Sequence, residues 1–228
     1  MPDSAVRALY DHLLARLGPQ GWWPADTAEE MIIGAVLTQA VAWQNAARAI
    51  DRLREAGLLS LAALAEIEPT IIVPLIRPAG YFNVKARKLV AVACHITAGG
   101  GVAALAARPM PIARQELLGV FGVGPETADA ILCYALGHPA MVADTYARRV
   151  LLRVGVLPAS AATGYEVARR ALGAQLPPDA DAAWLGEWHA LLVAVGKDWC
   201  RPREPRCEDC PAHARCAYAH TAAMGRGR

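Results

Sequence analysis

The sequence has no long apolar run and no large excess of charge of either sign. Its 228 residues contain 23 Lys and Arg against 21 Asp and Glu, a formal net charge of +2. Hydrophobic residues make up 55% and charged residues 19%, which excludes a disordered chain and allows one or two buried cores. The apolar run near Ala140 is far shorter than the roughly 20 residues that cross a bilayer. We therefore expect neither a membrane span nor an export signal.

Lysine is scarce. Of the 23 basic residues only Lys85, Lys88 and Lys197 are lysines, and the rest are arginines. Arginine stays protonated at any working pH, whereas lysine can lose its proton and act as a nucleophile. Any Schiff-base chemistry therefore has three candidate residues. A net charge of +2 is too small to indicate nucleic acid by itself, so DNA binding has to be argued from local features.

Period-two alternation, the signature of half-buried strands, is rare in this sequence. Apolar residues instead recur at spacings of three and four, which predicts helices. Short Gly- and Pro-containing segments separate them, so neighbouring helices should pack antiparallel. The predicted helical segments are 6–17, 28–53, 61–67, 86–96, 115–120, 127–136, 145–154, 165–172 and 184–195. The fold class is predicted to be all-α.

Four of the six cysteines lie close together near the C-terminus, with spacings of six, two and five residues between them: Cys200, Cys207, Cys210 and Cys216. Without an export signal, this grouping favours a metal site in a reducing, cytoplasmic compartment over disulfides. Four thiolates can hold zinc or a [4Fe-4S] cluster, and coordination arguments alone leave both open. The arginines between the cysteines suit phosphate binding, or simply balance the charge of a cluster. Cys94 and Cys133 lie in apolar helical segments and are predicted to be buried.

A Gly-x-Gly turn lies between two apolar helical segments at 117–132. Gly122 and Gly124 allow a tight backbone bend, and Pro125 opens the second helix. The amides at the start of that helix, with Thr127 in its first turn, are candidate partners for a DNA phosphate. Such contacts would be independent of base sequence. Glycines in this pattern also serve simply as helix caps, so the turn alone is a weak signal.

Asp144 follows the hairpin at the start of another helix, ahead of Arg148. The whole segment LLGVFGVGPETADAILCYALGHPAMVADTYARRV resembles the helix-hairpin-helix, Gly/Pro-rich loop and aspartate signature of the endonuclease III superfamily of DNA glycosylases. The resemblance implies that Asp144 is the essential catalytic residue and that Arg148 contacts the DNA backbone. Aspartate is also a good N-cap, and both roles are compatible.

The cysteine spacing is similar to that of the endonuclease III family, where it holds a [4Fe-4S] cluster. This resemblance implies an iron-sulfur cluster rather than zinc. It also implies a two-domain helix-hairpin-helix glycosylase fold with a C-terminal iron-sulfur loop at 200–216. We expect a helical barrel domain at 24–137 that ends in the hairpin at about 115–132. A second domain should combine 1–23 with 138–228 and carry the catalytic aspartate. Asp144 and the hairpin should face the cleft between these domains.

One position departs from the bifunctional members of the family. They carry a lysine two residues after the second glycine of the hairpin, and its amine forms a Schiff base with the sugar. Glu126 occupies that position here, and a carboxylate cannot form an imine. The expected reaction is therefore hydrolysis by water, with Asp144 orienting or deprotonating the water and stabilising the oxocarbenium-like sugar. A monofunctional glycosylase with weak or absent AP lyase activity is predicted.

The N-terminal half resembles the 3-methyladenine DNA glycosylases of the same superfamily, in the segments GWWP, GAVLTQAVAW and IRPAGYFNVKA. The resemblance implies a pocket for an alkylated base that has flipped out of the duplex, with aromatic faces that stack on an electron-poor ring. Trp22 or Trp23 together with Trp43 are candidates for this sandwich, or they are ordinary packing residues. Gln39 is a candidate wedge or plug near the flipped-out position. Lys197 matches a pocket lysine of that branch, or it is an exposed partner of Asp198.

Two alternatives remain open at this point. Members of the alkylation branch often lack the iron-sulfur loop, so a bifunctional glycosylase and AP lyase for oxidised pyrimidines is the first. A non-catalytic protein that binds damaged DNA is the second. In each case the expected partner is double-stranded DNA, and the protein is expected to be a monomer without membrane association.

Overall fold

The structure is a computed structural model that describes residues 5–225, with side chains described as far as Thr221. The first four and last three residues, which belong to the predicted bipartite domain, lie outside the described residues. Within the described span there is no β-strand, which confirms the predicted all-α class. None of the helices described is long and apolar enough to cross a membrane.

The α-helices of the described span follow one another along the whole chain. They are α1 (Ala5–Leu17), α2 (Ala28–Leu37), α3 (Trp43–Glu55), α4 (Leu61–Ala65), α5 (Pro69–Ile76), α6 (Phe82–Ala98), α7 (Gly101–Ala106), α8 (Met110–Leu118), α9 (Pro125–Ala130), α10 (Thr145–Val154), α11 (Tyr165–Gly173), α12 (Ala182–Asp198) and α13 (Ala217–Gly225). A π-helical segment, Ile131–Ala135, continues α9. Short 3-10 turns lie at Arg77–Ala79, Ala159–Ala161 and His213–Arg215.

The predicted single helix over 28–53 is wrong, because α2 and α3 are separate helices. The hydroxyl of Thr38 donates to the carbonyl oxygen of Gly34 at 2.9 Å, a bond from the C-cap residue back into α2. Two residues later Ala40 adopts a positive φ of 54°, which interrupts the helical path. Apolar spacing continues across this break, so periodicity alone could not reveal it. The break leaves Gln39 in a loop rather than on a helix.

The helices divide into two compact units. The first, here called the bipartite unit, comprises Met1–Trp22 and Met141–Arg228 as far as they are described, and the second, the continuous unit, comprises Trp23–Ala140. In the continuous unit α4 and α5 pack on α6, while α2 packs against α3 and the π-helical segment. Nearly every side chain of α2 is buried, as expected of a central helix.

In the bipartite unit α12 packs against α1 and α10, and α13 packs against α10. The ring of Tyr10 on α1 stacks on Trp184 of α12, with ring centroids 4.4 Å apart. Asp181 caps the start of α12 by accepting a hydrogen bond from the Trp184 amide at 2.8 Å. This packing holds α12 alongside α10, the helix that begins after Asp144.

Candidate active site

Asp144 is the N-cap of α10. Its backbone is extended, and its Oδ1 accepts a hydrogen bond from the amide of Ala147 at 2.6 Å. Only 13% of the side chain is exposed. The capping role considered from the sequence is therefore confirmed. It does not compete with a catalytic role, because the second carboxylate oxygen, Oδ2, makes a different contact.

That contact is with His189, a buried residue of α12. Its Nε2 lies 3.7 Å from Asp144 Oδ2, within the range of an ion pair when the imidazole is protonated. Burial raises the pKa of the Asp144 carboxyl, but the interaction with His189 and the amides of Ala147 and Tyr146 outweigh burial. The pKa therefore lies below its ordinary value. Sequence reasoning missed His189, since nothing in the pattern of α12 distinguishes it from a core residue.

Helices α10 and α12 approach very closely beside Asp144. A Cβ added at Gly196 would lie 2.9 Å from the Cβ and Cδ1 atoms of Tyr146, so only glycine fits there. Arg149 bridges the same helices by donating to the carbonyl oxygens of Cys200 at 2.7 Å and Gly196 at 2.8 Å. Its guanidinium also lies 5.1 Å from the centre of the Tyr146 ring. The start of α10 is thus held rigidly against α12.

The predicted hairpin is present between α8 and α9, and its two glycines play different parts. Gly122 has a φ of +86°, and a Cβ there would come within 2.2 Å of Cγ of Lys88. Gly124, by contrast, is extended, caps α9 and has no other atom within 4 Å of the place a Cβ would take. The expectation that both glycines are needed for the bend is therefore correct for Gly122 only. At Gly124 the open space leaves room for another molecule to approach the backbone.

Gln39 is tied to this hairpin. Its amide nitrogen donates to the carbonyl oxygen of Gly122 at 2.9 Å and to the hydroxyl of Thr127 at 3.0 Å. Its amide oxygen accepts from Nζ of Lys88 at 2.6 Å. Thr127 is 9% exposed, so its hydroxyl serves this internal network in the structure. Lys88 was considered from the sequence only as one of three possible Schiff-base lysines, and its contact with the hairpin was not predicted.

The remaining lysines are placed differently from one another. Lys85 is buried on α6, and its Nζ donates to the carbonyl oxygens of Leu37 and Ala79 at 2.8 and 2.7 Å. Burial, and to a smaller extent the charge of Lys88, lowers its pKa to about 8. Lys197 is exposed in the last turn of α12. Glu126, at the lyase-lysine position, is exposed in the first turn of α9.

Of the two tryptophan pairs predicted from the sequence, Trp23 and Trp43 do not lie face to face. Trp23 and Trp43 have centroids 5.4 Å apart but an interplanar angle of 84°, an edge-to-face contact. Two rings in this arrangement leave no parallel gap for a base between them. Tyr134, which sequence reasoning did not assign to the site, also packs on Trp23 at 5.7 Å. Trp22 belongs to the bipartite unit and is half-buried.

The four C-terminal cysteines line one pocket together with Arg153, His213 and Tyr218. None of them forms a disulfide. Burial raises the pKa of the Cys210 thiol to about 11, and the charges of the other three cysteines add to this rise. In the described part of the chain no three His, Cys, Asp or Glu side chains are close enough to hold a single metal ion.

Arg153 of α10 holds the cysteine loop. Its guanidinium donates to Sγ of Cys200 at 3.4 Å and to the carbonyl oxygens of Arg201 and Pro202 at 2.7 and 3.0 Å. Arg148 is half-buried and donates to the backbone oxygen of Asp144 at 3.4 Å. Of the other cysteines, Cys133 is buried as predicted, whereas Cys94 is exposed, contrary to the prediction.

Comparison with known proteins gives consistent matches. Residues 33–177 match the profile of the HhH-GPD superfamily base excision DNA repair proteins. The chain is 37% identical over 214 residues to a Methanocaldococcus jannaschii protein that is named as a DNA repair glycosylase, which covers 92% of this chain and 95% of that protein. It is 28% identical to endonuclease III of Thermotoga maritima, over 87% of this chain and 86% of that one.

Among solved structures, the 3-methyladenine DNA glycosylase (MagIII) of H. pylori, bound to 1,N6-ethenoadenine, is similar. The TM-score is 0.71 and the identity 26%, over 84% of this chain and 95% of that chain.

Proposed function

Because this chain belongs to the HhH-GPD superfamily of base excision DNA repair proteins, we propose that it is a monofunctional glycosylase for alkylated bases in duplex DNA. It hydrolyses the N-glycosidic bond of a base that has flipped out of the helix. The observation that carries this proposal is the presence of a carboxylate at each of two positions, 144 and 126, that determine the chemistry. Asp144 is a buried carboxylate of lowered pKa, and Glu126 replaces the amine that a lyase requires.

The lowered pKa of Asp144 favours one of its two possible tasks. A carboxylate whose pKa is depressed is a weak proton acceptor, but it is fully charged at neutral pH. It therefore acts mainly by stabilising the positive charge that develops on the sugar as the bond to the base lengthens, and by orienting water. An alkylated purine is already a good leaving group, so strong base catalysis is not required of this residue.

The lysines offer no free amine at the hairpin for Schiff-base chemistry. Lys85 is buried and bound to two carbonyl oxygens, and Lys88 is bound to Gln39. Borohydride reduction in the presence of damaged duplex should accordingly trap no covalent protein–DNA adduct. An adduct in the wild type that disappears in Lys88→Ala would instead establish a lyase whose amine comes from α6, and would contradict the monofunctional assignment.

An alkylated substrate is supported by two observations. The structure of MagIII, a 3-methyladenine DNA glycosylase that is 26% identical to this chain, holds 1,N6-ethenoadenine. In this chain the continuous unit carries a group of aromatic rings formed by Trp23, Trp43 and Tyr134, which offers electron-rich surfaces for a cationic base. The roles of Trp22, Gln39 and Lys197 in base binding stay predictions that rest on the resemblance of the sequence to 3-methyladenine DNA glycosylases.

The grouping of four cysteines around one pocket supports a [4Fe-4S] cluster as the cofactor, which would brace the loop at 200–216. The choice of iron over zinc rests on the cysteine spacing, which resembles that of the endonuclease III family. Arg153 offers a hydrogen bond to the sulfur of Cys200, a partner that thiolate ligands commonly have. Purified protein should contain about four irons and four inorganic sulfides per chain. One zinc per chain without sulfide would overturn this assignment.

The function is tested by base release from duplexes that carry 3-methyladenine, 7-methylguanine, uracil or thymine glycol. The alkylated purines should be released without strand cleavage. Thymine glycol should not be released. Asp144→Asn should abolish release, while Asp181→Asn, which alters another helix-capping aspartate, should not. Both variants retain a side chain that caps helices well. If the wild type binds damaged DNA but releases no base, the protein is a damage-binding module.

A further inference from the structure

The chain has only two phenylalanines, and each carries an arginine guanidinium over its ring. Arg77 lies 5.6 Å from the ring centre of Phe82, and Arg87 lies 5.1 Å from that of Phe121. The second pair differs from the first in its location. It joins α6 to the hairpin, because Phe121 is the residue immediately before Gly122.

Within the described residues, Arg87 has no partner for its charge. It is exposed, and apart from the contact with Phe121 it makes no hydrogen bond or ion pair with the rest of the described chain. Several other arginines of the chain are paired, for example Arg54 with Glu30 and Arg114 with Asp129. An arginine that is positioned by a ring but left without an anion has its full hydrogen-bonding fork available.

The side chain beneath the guanidinium explains its position. Phe121 remains 51% exposed at the hairpin, so it fills no core. Contact with its ring reduces the number of rotamers open to Arg87, and binding then costs less conformational entropy. The next residue, Lys88, runs along Gly122 and ends on Gln39. Consecutive residues of α6 therefore place two cations on the hairpin.

The hairpin itself carries a negative charge, so cations supplied by α6 would help it to bind a phosphate. Glu126 puts a negative charge into the first turn of α9, next to the backbone amides that are offered to a phosphate. A carboxylate there repels phosphate, so positive charge has to come from another element. We propose that Arg87, held over Phe121, is a phosphate-binding group that extends the DNA-binding surface from the hairpin onto α6. This inference rests on the proposed function, since its partner is duplex DNA.

The test is the salt dependence of binding to an undamaged and a damaged duplex of the same length. Each phosphate contact that is lost reduces the magnitude of the slope of log K against log salt by about 0.9. Arg87→Ala should lower affinity several-fold at low salt, equally for both duplexes, and reduce the slope by that amount. Arg52→Ala, which removes an exposed arginine from α3, is the matched control and should change neither.

A double-mutant cycle separates the ring from the cation. Phe121→Leu should weaken binding in the wild type but have no further effect in the Arg87→Ala background, because Phe121 acts through Arg87. An equal effect in both backgrounds would show that the ring contacts DNA itself and would overturn the supporting role. An unchanged slope in Arg87→Ala would overturn the proposal. Failure of the proposed function would appear instead as absence of base release by the wild-type protein.

Discussion

His189 Nε2 and Asp144 Oδ2 lie 3.7 Å apart, although the residues belong to the middle of α12 and the cap of α10. This distance permits electrostatic attraction but is too long for a strong hydrogen bond. The other carboxylate oxygen accepts from the Ala147 amide. The carboxylate is therefore oriented by its own helix on one side and by a neighbouring helix on the other. Its charge state consequently depends on tertiary packing as well as on capping.

Replacement of His189 by Gln should shift the pH dependence of base release. Burial raises the pKa of Asp144, and the histidine is the foremost interaction that offsets it. Without the histidine, Asp144 should become protonated at a higher pH, so the acidic limb of the single-turnover rate should move upward. His95→Gln alters an exposed histidine on α6 and serves as the control. An acidic limb at the same pH in His189→Gln would contradict this role.

The same carboxyl should make folding stability sensitive to acid. Its pKa in the folded protein lies below the ordinary value of 3.8, so the folded state binds fewer protons than the unfolded state around that pH. The stabilisation is present above 3.8 and is lost as the pH falls through the folded pKa. Denaturant unfolding below about pH 4 should show a shallower loss of stability with falling pH in Asp144→Asn than in the wild type. Parallel curves for the two proteins would be inconsistent with this.

Gly196→Ala should destabilise the bipartite unit. The added methyl group would lie 2.9 Å from Tyr146, and overpacking of this kind costs about 1 to 3 kcal/mol. Gly173→Ala is the matched control, because no atom lies within 4 Å of its Cβ position at the end of α11. Alanine there should be neutral or slightly stabilising. Thermal unfolding measures the stability of both variants. An equal change in stability would show that α10 and α12 do not approach so closely at Gly196.

The two hairpin glycines should respond differently to alanine. Gly122→Ala should lower stability, because its positive φ disfavours a side chain and the Cβ would collide with Lys88. Gly124→Ala should leave stability nearly unchanged, because its backbone is extended and the space around it is open. It should nevertheless weaken DNA binding if the phosphate approaches the backbone there. Denaturant titration and a DNA-binding isotherm on each variant give the comparison.

The buried ion pair between Arg114 and Asp129 should be important for the stability of the hairpin. Both carboxylate oxygens of Asp129 accept hydrogen bonds, at 2.7 and 3.1 Å, and the residue is only 1% exposed. Asp129→Ala leaves the half-buried guanidinium of Arg114 without this partner and should cost about 3 kcal/mol. Asp51→Ala breaks an exposed pair with Arg54 and should have little effect. Similar losses in the two variants would contradict the difference in burial.

Features that depend on neighbouring residues could be predicted from the sequence. Helical periodicity, the Gly-x-Gly turn, the cap at Asp144 and the cysteine spacing are all local patterns, and the structure contains each of them. Local patterns also explain why the prediction of a single helix over 28–53 is wrong. Apolar spacing runs through the break at Ala40, and no adjacent residue indicates a positive φ there.

The contacts between side chains of different helices could not be predicted from the sequence. His189 reaches Asp144 from a separate helix, Lys88 reaches Gln39 and the hairpin from α6, and Trp23 meets Trp43 edge-on. Such contacts depend on how helices are rotated and spaced, and a close approach such as that at Gly196 is set by the packing of whole helices. A sequence gives the direction of a side chain on its own helix. The residue that it contacts on a neighbouring helix depends on how the two helices pack.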